Sequence, residues 1–180
     1  MNSVVGVDLS LASTGVCVCD PLQHILPTVY RIQSKGGKDD SLHLRVGRLV
    51  DIVDRILQVV PGDADVFIEG PSFGQMRQGG EHQRAGLWWS LVQLLDLQGH
   101  QVVSVAPSVL KKYATGKGNA GKDEVLAAAI RRYPTINITG NDVADATVLC
   151  AIGMRLNHEP LEDTLPKAHL DALTKLEVAA

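Results

Sequence analysis

Two aspartates, Asp142 and Asp145, stand three residues apart in NDVADATVLC, residues 141 to 150. On a helix they occupy neighbouring points of one face, about 4.5 Å apart along the axis. Like charges at that spacing repel, so the pair needs an explanation. Capping is one: Asn141 or Asp142 accepts a hydrogen bond from the first turn, and acidic groups suit the positive end of the helix dipole. That accounts for one carboxylate and partly for the second, so chemistry is preferred only where further acids converge. Two are available, because Asp8 ends the apolar run VVGVD and Glu69 ends DVFIE. A buried, unpaired carboxylate is expensive or becomes protonated, so a charge closing an apolar strand calls for solvent, a cation or a partner. Four gathered carboxylates suit the hard-oxygen preference of Mg²⁺ or Mn²⁺. Two such ions about 4 Å apart generate a hydroxide nucleophile and stabilise both the attacking and leaving oxygens of phosphoryl transfer.

A phosphate substrate would need cations beside such an acidic centre. The formal net charge of −3 argues mildly against a polyanionic partner, but the charges are unevenly spread. Residues 111 to 132 hold Lys111, Lys112, Lys117, Lys122, Arg131 and Arg132 against Asp123 and Glu124, whereas residues 158 to 180 hold five acidic residues against Lys167 and Lys175. The first segment offers a basic patch for phosphates. For Lys112 or Lys117 alone, a solvated surface is the better reading. Arg77 and Arg84 accompany the glycine-rich GPSFGQMRQGGE; a mobile loop facing a phosphate substrate explains the arginines and glycines together, an ordinary surface loop explains each separately, and Phe73 either stacks on a substrate ring or anchors the loop. His82 belongs to no ligand constellation and reads as a surface hydrogen-bonding residue.

The elements that must position these groups follow from periodicity. VVGVDLSLASTGVCVCD reads as a hairpin with Asp8 near its opening, and a third short strand runs from Thr28 to Ile32. Apolar residues at three- and four-residue intervals from Ser41 to about Val60 predict an amphipathic helix, ended by Pro61-Gly62. DVFIE is a strand; a second helix lies between His82 and Leu97; VVSVAP is another strand, with a short helix at most from Pro107. Helices follow from Lys122 to Arg132 and from Asp142 to about Asn157, and a small one from Lys167. This order describes an α/β protein with a mixed central sheet flanked by helices. If the strands ending in Asp8 and Glu69 are adjacent and parallel, both acids reach one sheet edge.

A chain of 180 residues, 45% of them hydrophobic, fits one compact domain with a substantial core. A domain over 1–158 and a C-terminal appendage over 159–180, carrying a short helix on the surface, are the expected division. The N-terminus carries no basic region followed by an apolar core and cleavage site, and no apolar run is long enough for a bilayer. Cys17, Cys19 and Cys150 read as small buried hydrophobes in a reducing compartment rather than metal ligands. The simplest expectation is a cytoplasmic protein without membrane partners. TGKGNAGK departs from the GxxxxGK[ST] phosphate loop, since Lys122 is followed by Asp123, so no nucleotide cofactor is expected.

Over roughly residues 3 to 157 the sequence resembles the RuvC-type Holliday-junction resolvases of the RNase H-like superfamily, in a divergent, bacteriophage-like form that would work in the host cytoplasm. The resemblance is carried by GVDLS around Asp8, VFIEGPSF around Glu69, VAPSVLKKYATGKGNAGKDEV at 105 to 125, and NDVADATVLC. The long third stretch followed by the paired aspartates is its specific part. DLS departs from the proline and glycine that many bacterial relatives have after the aspartate; Ser10, Ser13 and Thr14 still make a polar turn there. The resemblance implies an RNase H-like fold and a Mg²⁺ site of Asp8, Glu69, Asp142 and Asp145, with Mn²⁺ as a substitute. It also implies a homodimer that cuts four-way DNA junctions in pairs, leaving 5′-phosphate and 3′-hydroxyl ends. Lys111 and Lys122 match basic residues used there for DNA contact or catalytic support. Trp88 and Trp89 cannot face the same way on their helix, so one enters the core and the other serves an exposed apolar contact between copies. Competing readings are a nuclease of the same fold acting on forks, flaps or other branched DNA, an inactive branched-DNA binding protein, and a kinase or ATPase with a related hairpin.

Overall fold

The computed structural model describes residues 2–22, 26–71 and 80–176. Its centre is a five-stranded sheet in the order β3-β2-β1-β4-β5. The strands are β1 (Ser3–Asp8), β2 (Ser13–Cys19), β3 (Thr28–Gln33), β4 (Ala64–Glu69) and β5 (Gln101–Val105). β1, β2 and β3 pair antiparallel, while β1, β4 and β5 run parallel, so the sheet is mixed. β1 and β4 are buried along most of their length, which is why both read as nearly continuous apolar runs.

Helices α1 (Leu42–Leu57) and α2 (Glu81–Leu97) cover one face of the sheet. Ile52, Val53 and Ile56 of α1 and Leu87, Leu91 and Leu95 of α2 form a core there with Val5, Val7, Val66 and Ile68. Ser41 caps α1, its hydroxyl accepting from the Leu44 N–H. Helices α3 (Pro107–Thr115), α4 (Lys122–Arg132) and α5 (Asn141–Leu156) build a second core on the opposite face. α3 is a full nine-residue helix where a short helix at most was expected. Proline at its start needs no N–H partner, Val109, Leu110, Tyr113 and Ala114 give it a buried stripe, and left-handed Gly116 ends it.

α5 is buried on nearly all sides because it lies flush on β1 and β2. Glycine makes this approach possible: a Cβ at Gly6 would sit 2.1 Å from the Ala146 carbonyl oxygen, and one at Gly15 would sit 2.0 Å from that of Asp142. Such distances exclude any side chain. The same packing brings Cys17 and Cys19 of β2 beside Cys150 of α5, all three buried and reduced as expected of small hydrophobes.

Residues beyond α5 are tied to the domain. Glu162 and Ala172 are buried, and α6 (Lys167–Leu170) packs against α3. The Glu162 carboxylate accepts from the Tyr113 hydroxyl at 3.1 Å, from the Tyr133 hydroxyl, and from Arg155 Nη2 at 3.0 Å. Burial, and then the Glu162 charge, push both phenols up, so they remain protonated donors. One acidic residue thereby joins α3, the end of α4, and α5.

Candidate active site

β1 and β4 are parallel neighbours with Val7 opposite Ile68, so Asp8 and Glu69 leave the sheet side by side at its C-terminal edge. α5 starts over the same edge, since Gly15, the register partner of Asp8, packs under Asp142. Asp8, Glu69 and Asp145 therefore share one electrostatic environment. Burial, then the Glu69 and Asp145 charges, raise Asp8 to about 8. Burial, then Glu69, raise Asp145 to about 7. Burial also raises Glu69, against the lowering effect of its hydrogen bond with Asp8. The two carboxyls at the ends of β1 and β4 therefore act on one another directly, and their titrations are linked.

Asp142 behaves differently. Burial opposes its charge, but hydrogen bonds from Ser13, Arg31 and the Val143 N–H outweigh burial and lower its pKa. Neither aspartate is the residue that caps α5; that position is Gly140, which offers no side-chain bond. The repulsion between Asp142 and Asp145 is relieved by pairing Asp142 with Arg31, not by capping.

Lys111 of α3 and Lys122 at the start of α4 act on the carboxylates, lowering the pKa of both Glu69 and Asp145. Lys112 is half-buried on α3. Lys117 lines a separate hollow of about 770 Å³ with Arg131, Arg132 and His169. Arg84 is exposed one turn into α2, and His82 is exposed nearby. Phe73 and Arg77 lie outside the described residues. The polar turn after Asp8 is present, with the Thr14 hydroxyl accepting from the Ser10 N–H at 3.0 Å and donating to the Ser10 carbonyl at 2.9 Å.

Two positioning groups have no clear signature in the sequence. The indole N–H of Trp88 donates to the Glu69 carbonyl at 3.0 Å and so anchors the end of β4. Trp89 points outward, 65% exposed, its ring edge-on to Trp88. Arg31 reaches Asp142 from β3 across 111 residues of sequence, a pairing that no local pattern announces.

Among the described residues no three Asp, Glu, His or Cys side chains stand close enough together to constitute a metal-binding group. The chemistry of the donors nevertheless fits a hard dication. Asp8, Glu69 and Asp145 supply only carboxylate oxygens; burial raises all three, and neighbouring carboxylate charges raise Asp8 and Asp145 further.

A mixed five-stranded sheet in this order, flanked by helices and presenting acidic residues at the ends of β1 and β4, defines an RNase H-like fold. Within that class the similarity is to RuvC. The chain is 29% identical over 155 residues to the crossover junction endodeoxyribonuclease RuvC of Rickettsia bellii, in two strains, covering 81% of this chain and 92% of the relative. The Thermus thermophilus RuvC structure superposes with a TM-score of 0.62 at 17% identity, over 87% of this chain and 97% of that one. T. thermophilus RuvC in complex with a Holliday junction substrate gives 0.60 at 20% identity, over 83% and 91%. No family model matches the sequence. The expected resemblance to RuvC-type resolvases is borne out by the curated sequence relatives, and the expected fold by the superposed structures.

Proposed function

We propose that this chain is a divalent-metal-dependent endodeoxyribonuclease that resolves four-way DNA junctions by paired phosphodiester cleavage, leaving 5′-phosphate and 3′-hydroxyl ends. The observation that carries the reading is the convergence of Asp8, Glu69 and Asp145 at one sheet edge, beside Lys111 and Lys122. Similarity to RuvC over most of both chains supports the substrate class. In this reading Asp8, Glu69, Asp145 and Asp142 hold Mg²⁺, with Mn²⁺ as a substitute. The cation supplies Lewis acidity for phosphodiester hydrolysis when bound.

The chain's own residues supply the remainder. Lys111 and Lys122 draw the phosphate backbone towards an edge that would otherwise repel it, and Lys112, Lys117, Phe73, Arg77 and Arg84 are the further residues assigned to DNA contact in this reading. Trp88 fixes the backbone from which Glu69 projects. Exposed Trp89 and Leu97 on α2 support a homodimer, which two cuts across one junction require. No described helix is long and apolar enough to cross a membrane, and DNA as substrate favours the cytoplasm.

The test is a denaturing-gel assay on strand-labelled four-way junctions, forks and linear duplexes with Mg²⁺, comparing wild type with Asp8→Asn. Symmetric junction cuts that disappear in Asp8→Asn are expected. Preferential cutting of forks or duplexes would reject junction specificity, and no cutting by folded wild type would move the protein to a binding role.

A further inference from the structure

Both carboxylate oxygens of Asp142 are already engaged. Arg31 Nε donates to Oδ2 at 2.7 Å, the Ser13 hydroxyl donates to the same oxygen, and the Val143 N–H donates to Oδ1 at 3.0 Å. Arg31 Nε also lies 3.0 Å from Ser13 Oγ, so arginine, serine and aspartate form one closed set. The surrounding backbone is shaped for it: a Cβ at Gly140 would fall 2.9 Å from Asp142 Oδ1 and 3.7 Å from Arg31 Nη2. The Asp142 side chain is 9% exposed and that of Arg31 42%, so the guanidinium closes the set from the solvent side.

Arg31 of β3 gives Asp142 an arginine counter-charge. A charge-assisted bond from guanidinium to carboxylate is strong and directional. A dication and a guanidinium on the same carboxylate oxygen repel at close range. Ligation through Oδ2 therefore requires the guanidinium to leave that oxygen, and Arg31 is exposed enough to rotate outward.

We propose that Arg31 is a positioning residue that competes with the divalent cation for Asp142, so that its withdrawal from Oδ2 sets the cation affinity of the site. The inference rests on the reading of this edge as a cation site, but its test measures binding and not cleavage. Mn²⁺ binding is followed by electron paramagnetic resonance in wild type, Arg31→Gln, Arg31→Lys, Asp142→Asn and the Arg31→Gln/Asp142→Asn double variant, each confirmed folded by circular dichroism.

Removing a partly exposed ion pair worth about 1 kcal/mol predicts Mn²⁺ binding about fivefold tighter in Arg31→Gln. Arg31→Lys, which keeps the charge, is expected within about twofold of wild type. In the Asp142→Asn background the Arg31→Gln gain disappears, because the arginine acts only through that carboxylate. Equal or weaker binding by Arg31→Gln overturns the proposal, as does a gain that persists in the double variant, where position 142 carries no charge. Absence of Mn²⁺ binding in every folded variant overturns the cation site itself and the proposal with it; wild-type binding without an Arg31 effect overturns the proposal alone.

Discussion

Burial, and then the neighbouring Glu69 and Asp145 charges, hold the Asp8 carboxyl well above the usual carboxylate range. Its pKa is raised from 3.8 to about 8, and that of Asp145 from 3.8 to about 7. Both folded values exceed the unfolded ones, so the folded chain binds more protons between about pH 4 and pH 8. The stability contributed by these groups is complete below the lower limit and is lost as pH rises through the folded values. Metal-free protein should therefore melt at a lower temperature at pH 8 than at pH 5.5, and Asp8→Asn should flatten that slope. At pH 8 the variant is expected to be more stable by on the order of 2 kcal/mol, or roughly 4–8 °C in calorimetry with a chelator. Added Mg²⁺ should raise the wild-type melting temperature more at pH 8 than at pH 5.5, because the ionised carboxylates bind it. A metal-free melting temperature that climbs steadily between those pH values would contradict the assigned environment. Asp142 has the opposite sign: its lowered pKa gives stability that is fully present above the unfolded value of 3.8 and is lost as pH falls through the folded value, so it changes the melting temperature only in acid.

At the scale of elements, the lysines that face the carboxylates depend on a distant acid. Lys111 and Lys122 belong to α3 and α4, and both helices are tied through Tyr113 and Tyr133 to Glu162. Removing one partner from a buried ionic network leaves the others unpaired, which costs about 3–5 kcal/mol. Glu162→Ala should lower the melting temperature by roughly 10 °C. Glu162→Gln, which retains an acceptor for the tyrosines, should fall between it and wild type. Lys122→Ala should leave stability nearly unchanged and weaken junction cleavage, with the shortfall changing over a salt series; unchanged cleavage at every salt concentration would remove Lys122 from the site. Elements were legible where one interaction dominates. Apolar periodicity placed α1 and α2, alanine-rich composition placed α4, and an apolar run ending in an acid placed β1 and β4. Arg31, Trp88 and Glu162 were not legible in these roles, because Arg31 acts on a group 111 residues away in sequence, Trp88 on one 19 away, and Glu162 on tyrosines 29 and 49 away. Their partners are fixed by sheet order and helix packing, and an arginine on a strand or a glutamate in an acidic tail has no local pattern to mark it.

At the scale of the whole molecule, junction resolution requires two active sites acting on one substrate. α1 and α2 pack against each other on one face of the sheet and leave Val46, Val50, Trp89 and Leu97 exposed. Trp89 and Leu97 lie eight residues apart on α2, about 80° apart around the helix axis, and are 65% and 73% exposed. An apolar ridge of this kind suits burial against a second copy related by a twofold axis. The double variant Trp89→Glu/Leu97→Glu would place charges in that contact while leaving Asp8, Glu69 and Asp145 in place. Wild type should sediment as a dimer and the variant as a monomer. On a supercoiled plasmid carrying a cruciform, two coordinated cuts give linear DNA, whereas a single cut releases the supercoiling, reabsorbs the cruciform and leaves a nicked circle. The variant should therefore shift the product from linear to nicked DNA while retaining Mg²⁺-dependent cutting. A variant that still sediments as a dimer and still gives linear product would place the contact between copies elsewhere, whereas a wild type that is monomeric during cleavage would require the paired cuts to come from successive encounters.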